Sequence, residues 1–332
     1  MAYSNSREHY VYAKKETTFG TAVSVLAANA CRVIDCKMRA NIPDIERPDK
    51  QPDLSPAEVV KGRYGPNPWS VRMSLAANGN AGTKPDCDPF LECAFGTAAT
   101  VVAATSVTYN LNAGTPSLTL YSYRDPSGMD QQIAISAIVQ RMRIEFGGDV
   151  PTLTFSGDAF NIVSSADYSG HDATGKGGLG SVAARPANPV TNGVMTVGFM
   201  GSVSLDGNSY TTLRDGYIDI DFSRELPRRN YNSRYAAAAE RDVRVVTGRI
   251  NLDDDDSANL NAVKLKARQK TKVPLVIGIG EVAGNIWTVT MPKILPAIPE
   301  YDDGQRRWGV GFDFRAYPTA AAALDEIALA IT

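Results

Sequence analysis

Apolar and polar residues alternate with a period of two along most of the chain. In Tyr217–Ser223, three apolar side chains alternate with Asp219 and Asp221, and in Arg32–Arg39 the same pattern puts Asp35 on a polar face. Successive side chains of a strand point to opposite faces, so this pattern predicts half-buried β-strands. Further strands are predicted at Ser70–Leu75, Ser117–Tyr123, Gln131–Ile135, Arg141–Phe146, Thr152–Ser156, Val194–Leu205, Val243–Leu252, Leu275–Ile279, Trp287–Met291 and Gly309–Phe314.

Helical signals are few. Residues 86–96 have an early proline, an acidic first turn and a final glycine, which predicts a short capped helix. Residues 256–270 begin with acids and end with bases, as the helix dipole favours. A short helix or a tail is expected at 320–331. The fold class is therefore mainly β, with helices flanking the sheets.

The chain divides at a segment without periodicity. Residues 162–193 are rich in Gly, Ser and Ala and predict a linker between a first unit, 1–161, and a second unit, 194–332. Each unit has a strand, a long polar segment, a strand with an arginine (Arg72 or Arg249), a helix and a proline-led strand. The shared order predicts a tandem duplication of one β-rich unit.

The two long polar segments are candidate contact loops. Residues 40–68 hold six prolines and several acids, whereas 224–242 is basic. A compact domain seldom keeps such a long connection without a use, so we expect a projecting hairpin or arm that contacts a neighbouring subunit; a plain surface loop is the alternative. Opposite charges would set register between subunits more than affinity. The candidates are Asp44, Glu46, Asp49, Asp53 and Glu58 in the first segment, and Arg228, Arg229 and Arg234, with Arg224 and Arg241, in the second.

Composition argues against an enzyme. The 332 residues suffice for roughly two domains, and 34 basic against 36 acidic residues give a net charge of −2. Bulk-charge binding to nucleic acid or membranes is therefore disfavoured. The only histidines, His9 and His171, lie in polar stretches without partners at a useful spacing. We predict no catalytic residues, no metal site and no cofactor.

Four cysteines are predicted to be free thiols. Their spacings, C-x4-C and C-x5-C, match neither zinc nor redox motifs. Reduced thiols suit a protein folded in cytoplasm. The N-terminus lacks an apolar stretch and no run is long enough to span a bilayer, so we expect no signal peptide and no membrane association.

The N-terminal run 12–22 resembles the opening of major tail tube proteins of long-tailed, non-contractile (siphovirus-type) bacteriophages. In that family an acidic residue, a short gap and an aromatic-Gly-Thr precede the first strand, and Glu16, Phe19, Gly20 and Thr21 match. The residues assigned to an N-terminal arm on this basis are Tyr10, Tyr12, Glu16, Phe19 and Gly20.

A second match follows further along the chain. The Trp-led strand Trp69–Leu75 and the segment 84–96, with its Asp-Pro-Phe-Leu and its final Phe-Gly, are similar to a strand and helix of the same family. The resemblance is clear over residues 8–100 and topological beyond them.

The resemblance implies a β-sandwich or partial barrel with a flanking helix. Subunits of the family join edge to edge into rings with sixfold or pseudo-sixfold symmetry, and the rings stack into a hollow tube that conducts the genome. Two tube units in one chain would let three copies form a pseudo-hexameric ring; the alternative is a true hexamer whose second unit packs differently. The other implied partners are the tape measure, tail terminator and tail tip proteins, and the implied location is the virion tail, assembled in the host cytoplasm.

Candidate lumen-lining acids follow by matching position. They are Asp35, Asp219 and Asp221, because a negative wall repels DNA phosphates and lets the duplex pass without specific binding. Lys37 and Arg39 share the predicted face of Asp35, which counts against a uniformly acidic wall. We expect those bases to pair with acids on adjoining strands.

Two alternatives remain at this point. One is another virion β-protein, such as a capsid decoration or tail-terminator component, which would not polymerise by stacking rings. The other is a carbohydrate-binding or carbohydrate-active β-sandwich. It would need solvent-facing aromatics around an acid pair, whereas Trp69, Trp287 and Trp308 are isolated in the sequence.

Overall fold

A computed structural model describes residues 9–41, 44–46, 59–61, 65–124, 131–164, 185–187, 194–197, 200–227, 238–255, 257–302 and 306–332. The first half contains β1 (Tyr10–Lys15), a 3₁₀ turn (Ala27–Asn29), β2 (Ala30–Cys31), β3 (Asp35–Met38), β4 (Asp44–Glu46), β5 (Val59–Lys61), β6 (Asn67–Ser74), β7 (Ala76–Ala77), α1 (Asp88–Phe95), β8 (Thr100–Val102), β9 (Ser106–Asn110), β10 (Leu118–Tyr123), β11 (Gln131–Ala137), β12 (Arg141–Phe146) and β13 (Thr152–Ser164).

The second half is similarly rich in strands. It contains β14 (Val194–Met195), β15 (Gly201–Leu205), β16 (Asn208–Tyr210), β17 (Leu213–Asp221), β18 (Arg224–Glu225), β19 (Glu240–Arg241), β20 (Val245–Asp253), α2 (Ala258–Arg268), β21 (Val273–Ile279), β22 (Trp287–Pro296), β23 (Glu300–Asp302), β24 (Gly309–Ala316) and β25 (Ala328–Ile331). The mainly β fold predicted from the alternation is confirmed, and both principal helices lie where the sequence predicts them.

Eight antiparallel strands form one continuous layer, which we call the eight-strand layer. Its order is β3-β6-β13-β12-β17-β20-β24-β23. The second layer contains β1, β10 and β11 in the first half and β15, β21, β22 and β25 in the second. The long strands β13 and β22 pair with strands of both layers, so each forms a corner of a sandwich.

The core lies between these layers. From α1, Phe90 stacks on Phe155 of β13 with ring centroids 5.2 Å apart and approaches Trp69 of β6 at 6.0 Å. α1 also contacts β1, β9 and β10, so it joins the two layers of the first half. α2 buries Leu260 and Val263. Apolar side chains at every second strand position thus supply the buried surface that stabilises the fold.

Two predicted segments differ in the structure. The chain from Val194 to Leu205 is two strands, because β14 pairs with β7 whereas β15 pairs with β21. At 320–331 there is no helix. Positive backbone φ angles at Ala322 and Leu324 stop a right-handed helix, and Ala328–Ile331 alternates buried and half-buried residues as a strand between β22 and β9.

The predicted linker begins as regular structure. β13 continues to Ser164, three residues into the segment 162–193, because Ile162 and Val163 are buried. Most of the remaining segment lies outside the described residues.

Candidate assembly interface

The eight-strand layer has one apolar and one polar face. In β6, Trp69, Val71 and Met73 are buried, whereas Arg72 is exposed and Ser70 is half-buried. The same alternation runs through β3, β12, β17 and β20. The apolar side chains face the core and the polar ones form a broad outer face, which we call the polar face.

All three predicted lumen acids lie on the polar face. Asp35 lies across from Arg72, and its carboxylate is 2.9 Å from the Nζ of Lys37. Lys37 therefore pairs within its own strand, not with an adjoining strand as expected from the sequence. Arg39, at the end of the same strand, is exposed. Whether this face lines a lumen stays a prediction.

The other two acids face arginines of the first half. Asp219 lies across from Arg143 and Asp221 across from Arg141, and the Arg141 guanidinium is 3.6 Å and 3.7 Å from the two carboxylates. Opposite charges directly across a strand pair stabilise it modestly. The polar face is thus a mosaic of acids and bases, not a uniformly acidic wall.

These ion pairs mark an internal junction between the halves, where β12 pairs with β17. On the apolar side of the junction, Met142 lies across from Ile220 and Ile144 across from Ile218. All four side chains are buried. The junction therefore combines backbone hydrogen bonds, a dry apolar side and a charged side.

The two outer strands of the layer are edges. Among the described residues, β3 pairs only with β6, and β23 pairs only with β24. An edge strand presents N–H and C=O groups that can pair with another chain. Apolar side chains accompany both edges: Ile34, next to β3, is 56% exposed and Tyr301 of β23 is 54% exposed.

Six strand pairings of the first half have counterparts in the second half. In the first half they are β1–β10, β10–β11, β11–β13, β13–β12, β13–β6 and β6–β3. In the second they are β15–β21, β21–β22, β22–β24, β24–β23, β24–β20 and β20–β17. In this correspondence β23 has the place of β12, and β3 has the place of β17.

The Glu16 side chain anchors the N-terminal segment. It is 7% exposed, and its carboxylate accepts hydrogen bonds from the hydroxyls of Ser117 (2.7 Å), Thr119 (2.6 Å) and Ser136 (2.5 Å) and from the Ser136 N–H (2.8 Å). Four donors compensate the cost of burying this carboxylate. The motif that carries the family resemblance therefore fixes the segment after β1.

The other residues predicted for an N-terminal arm are also part of the sandwich. Tyr10 and Tyr12 belong to the paired strand β1, and the Tyr12 hydroxyl donates to the Pro186 carbonyl at 2.9 Å. The Phe19 ring meets Phe160 edge to face at 5.6 Å. Gly20 has φ +83°, a conformation that favours glycine.

The long loops are described only in part. Asp44 to Glu46 pairs with 59–61, so the predicted hairpin in the first loop is present at these two strands. The candidates Asp49, Asp53, Glu58, Arg228, Arg229 and Arg234 lie outside the described residues. The contact of either loop with a neighbouring subunit stays a prediction.

Arg224 was expected in an exposed basic loop, but the structure places its side chain in the interior. Its guanidinium is buried and donates to the carbonyls of Cys93, Ala94 (2.8 Å), Gly114 (3.2 Å) and Val139 (3.3 Å). The first two carbonyls are at the end of α1, where helix carbonyls lack intrahelical donors. Burial lowers the pKa of Arg224 to about 10. This residue joins the second half to the first, and sequence patterning gave no signal for it.

The four cysteines are free, as predicted, and all four are buried. Burial raises the pKa of Cys31, Cys36 and Cys93 to about 12. In the described part of the chain, no group of three or more His, Cys, Asp or Glu side chains is placed to hold a metal ion. No helix among the described segments is long and apolar enough to cross a membrane.

The fold is that of a mainly β protein whose eight-strand layer ends in two edges that pair with no further strand among the described residues. A family model described as phage tail tube protein matches residues 6–316, and the chain belongs to this family. A comparison with curated proteins finds no match. The family predicted from the N-terminal and Trp-led motifs is confirmed, and the protein is a structural component of a phage tail.

Proposed function

We propose that this protein is the repeating subunit of a tail tube that forms rings by pairing sheet edges. The observation that carries the proposal is the internal junction between β12 and β17. It joins two corresponding four-strand sets, β3-β6-β13-β12 and β17-β20-β24-β23, edge to edge. The strands β3 and β23 are left as outer edges. Adding β23 of one copy to β3 of the next would repeat the same junction between chains.

Three copies per ring follow most directly from this arrangement. Each chain supplies two four-strand sets to one layer, so three chains supply six sets with pseudo-sixfold symmetry. In a true hexamer with the second unit placed outside, the two sets would not share a layer. The paired β12 and β17 therefore favour the trimer. The corresponding strand sets support two units, 1–161 and 194–332, joined by 162–193, with β13 extending three residues into the joining segment.

The polar face would line the lumen, because the apolar face is covered by the second layer. Asp35, Asp219 and Asp221 would contribute to this wall together with the arginines that face them. A mixed wall offers DNA few unpaired cations to displace its counterions, so the genome would pass without specific binding. The protein would act without enzymatic chemistry.

The long loops would contact neighbouring subunits or rings, with Asp44 and Glu46 at the base of the first. Assembly would take place in the host cytoplasm on a tail tip, around a tape measure protein and up to a tail terminator, in a non-contractile tail. A decoration or terminator protein is the second candidate, and it would form at most single rings.

Negative-stain electron microscopy of the purified protein tests the proposal, at low and high protein concentration and with added nucleating tail tips. Hollow tubes or stacked rings whose class averages have threefold symmetry are the expected result. Single rings that never stack would favour the second candidate. Dispersed monomers in the presence of tail tips would contradict the proposal.

A further inference from the structure

The two outer edges carry opposite charge. On β23, Glu300 and Asp302 have side chains 70% and 67% exposed. At β3, the Lys37 side chain is 77% exposed and Arg39 is also exposed. Counted from the sequence of each edge alone, residues 35–39 carry a net charge of +1 and residues 300–302 carry −2.

These charges lie on the same face of the layer. Glu300 lies across from Gly311 and Asp302 across from Gly309, so both acids follow the polar face while Tyr301 follows the apolar one. Lys37 alternates with the buried Cys36 and Met38 and is also on the polar face. Joining the edges would therefore bring acids and bases together on one side.

Arginines of the same chain form ion pairs with both acids of β23. The Glu300 carboxylate is 3.0 Å from the Arg249 guanidinium, and the Asp302 carboxylate is 3.9 Å from that of Arg214. Arg249 is on β20 and Arg214 on β17, and their side chains reach over Gly311 and Gly309 of β24. These ion pairs draw both carboxylates across β24, away from the open edge, and offset part of their charge.

The internal junction also pairs a basic strand with an acidic strand, but the two charges are exchanged between the corresponding strands. There, β12 supplies the bases Arg141 and Arg143, and β17 supplies the acids Asp219 and Asp221. At the outer edges, β23 has the place of β12 but is acidic, and β3 has the place of β17 but is basic. In both junctions an acidic strand would meet a basic strand. The acidic strand is β17 at the internal junction, whereas at the outer junction it is β23, which has the place of the basic β12.

We propose that this charge polarity makes association between copies head to tail, with β23 of one chain on β3 of the next. This inference rests on the proposed function, and it names the feature that selects the partner edge. In a twofold pairing of two β23 strands centred on Tyr301, Glu300 would lie across from Asp302 of the other copy. In a twofold pairing of two β3 strands centred on Lys37, lysine would face lysine, but Asp35 would face Arg39 at two places. Like charges directly across a strand pair destabilise it and opposite charges stabilise it, so the charge pattern disfavours the β23 dimer and not the β3 dimer.

Burial of apolar side chains would supply the affinity between the edges, and the charges would decide which edges join. At the internal junction Ile144 and Ile218 are buried, whereas Ile34 and Tyr301 at the outer edges are exposed. Edge-to-edge docking would remove those two side chains from water. Removing apolar area is favourable in any orientation, so the charges, not the apolar groups, choose between the head-to-tail contact and the twofold contact of two β23 strands.

Charge reversal of each edge tests this inference. One variant carries Glu300→Lys and Asp302→Lys, a second carries Lys37→Glu and Arg39→Glu, and a third carries all four changes. Each two-residue variant should raise the protein concentration needed for ring formation about tenfold at low salt. The four-residue variant should return it to near the wild-type value. Failure of that restoration, with each variant folded by circular dichroism and thermal melting, would overturn the inference.

Two controls exclude nonspecific effects. Glu300→Gln with Asp302→Asn also removes the ion pairs with Arg249 and Arg214 but reverses no charge, and we expect a smaller effect than with lysine. Glu281→Lys changes an exposed acid on neither edge and should leave assembly unchanged. An equal effect of Glu281→Lys would mean that net charge, not edge polarity, controls assembly.

A mixture of the two edge variants tests the charge polarity and the number of chains per ring separately. The variant with Glu300 and Asp302 reversed has two basic edges, and the variant with Lys37 and Arg39 reversed has two acidic edges. Each can join only the other, so only rings with an even number of chains can close. Open arcs from the mixture support both the charge polarity and the three-chain ring. Closed rings of six alternating chains would support the polarity but contradict the trimer.

Closed three-chain rings from the mixture would overturn the charge polarity. The charge polarity would also be overturned if both two-residue variants formed rings as readily as the wild type. The proposed tube function would then still stand. A wild-type protein that forms no rings even on tail tips would instead overturn the proposed function.

Discussion

The Glu16 carboxylate accepts two hydrogen bonds from Ser136, one from its N–H at 2.8 Å and one from its hydroxyl at 2.5 Å. The same hydroxyl accepts a hydrogen bond from the Gly20 N–H at 2.6 Å. Ser136 thus connects the buried acid to the turn that follows it. The contact ties the start of the chain to a strand 120 residues later.

Replacing Glu16 should therefore destabilise the first half strongly. Glu16→Ala leaves the hydroxyls of Ser117 and Thr119 and the Ser136 N–H without their acceptor inside the protein. We expect a loss of about 3 kcal/mol in the free energy of unfolding, measured by urea denaturation. Glu281→Ala, at an exposed acid, should change it by less than about 0.5 kcal/mol. Equal effects of the two variants would contradict the anchoring role of Glu16.

Gly20→Ala should cost only backbone strain. A Cβ at Gly20 would meet the Phe160 ring at 3.9 Å, an ordinary contact, but φ is +83°. We expect a loss of about 1–2 kcal/mol, measured in the same way. Gly148→Ala is the matched control, because a Cβ there meets nothing within 4 Å. A Gly20→Ala variant as stable as the Gly148→Ala variant would show that the left-handed conformation is not required.

Arg224→Lys should weaken the contact between the halves. A lysine cannot reach the carbonyls of Ala94, Gly114 and Val139 together, so buried acceptors lose their donors. We expect a loss of about 2–3 kcal/mol in the free energy of unfolding. Arg241→Lys provides the control, because Arg241 lies across from Arg224 in the short β18–β19 ladder but is exposed. If both lysine variants melt alike, the helix-capping role is wrong.

The cysteines should be unreactive in the folded protein. Because burial raises the pKa of Cys31, Cys36 and Cys93 to about 12, these thiols stay protonated at pH 8, and the thiolate is the reactive form. Ellman's reagent should label native protein slowly at pH 8 and label all four thiols in urea. Fast labelling of the native protein would contradict the buried positions of the cysteines.

Deleting residues 45–65 should change assembly without unfolding the sandwich. This segment includes the described strand β5 and part of β4, and neither strand pairs with the eight-strand layer. We expect assembly to fix the conformation of this proline-rich segment, at a cost in entropy that would delay polymerisation until a tail tip is present. Light scattering of polymerisation with and without tail tips measures the effect. Tubes that form and stack as in the wild type would show that the loop has no role in assembly.

The alternation of residues predicted the strands well because burial on one face fixes a period of two. Tyr217–Ser223 is such a segment, and Asp219 and Asp221 lie together on the face where the pattern puts them. The pattern does not identify the neighbouring strand, so the pairing of Asp219 with Arg143 required the structure. The strand Ala328–Ile331 was missed because alanine favours helices and gives a weak alternation.

Long-range contacts of single polar residues were harder to predict. Arg224 lies in a basic, polar segment, and only the fold shows that its side chain enters the core to cap α1. Glu16 was identified through a family motif, but its role as an anchor depends on Ser117 and Ser136, which are distant in sequence. Such contacts follow from topology, which local patterns do not encode.

The central claim is that one chain supplies two four-strand sets to a single layer and that rings close by joining β23 to β3. Cryo-electron microscopy of assembled tubes, at a resolution that separates strands, tests it most directly. We expect three copies per ring and continuous sheet density from Glu300–Asp302 of one copy to Asp35–Met38 of the next. Six copies per ring with the second half outside the inner layer would contradict the account.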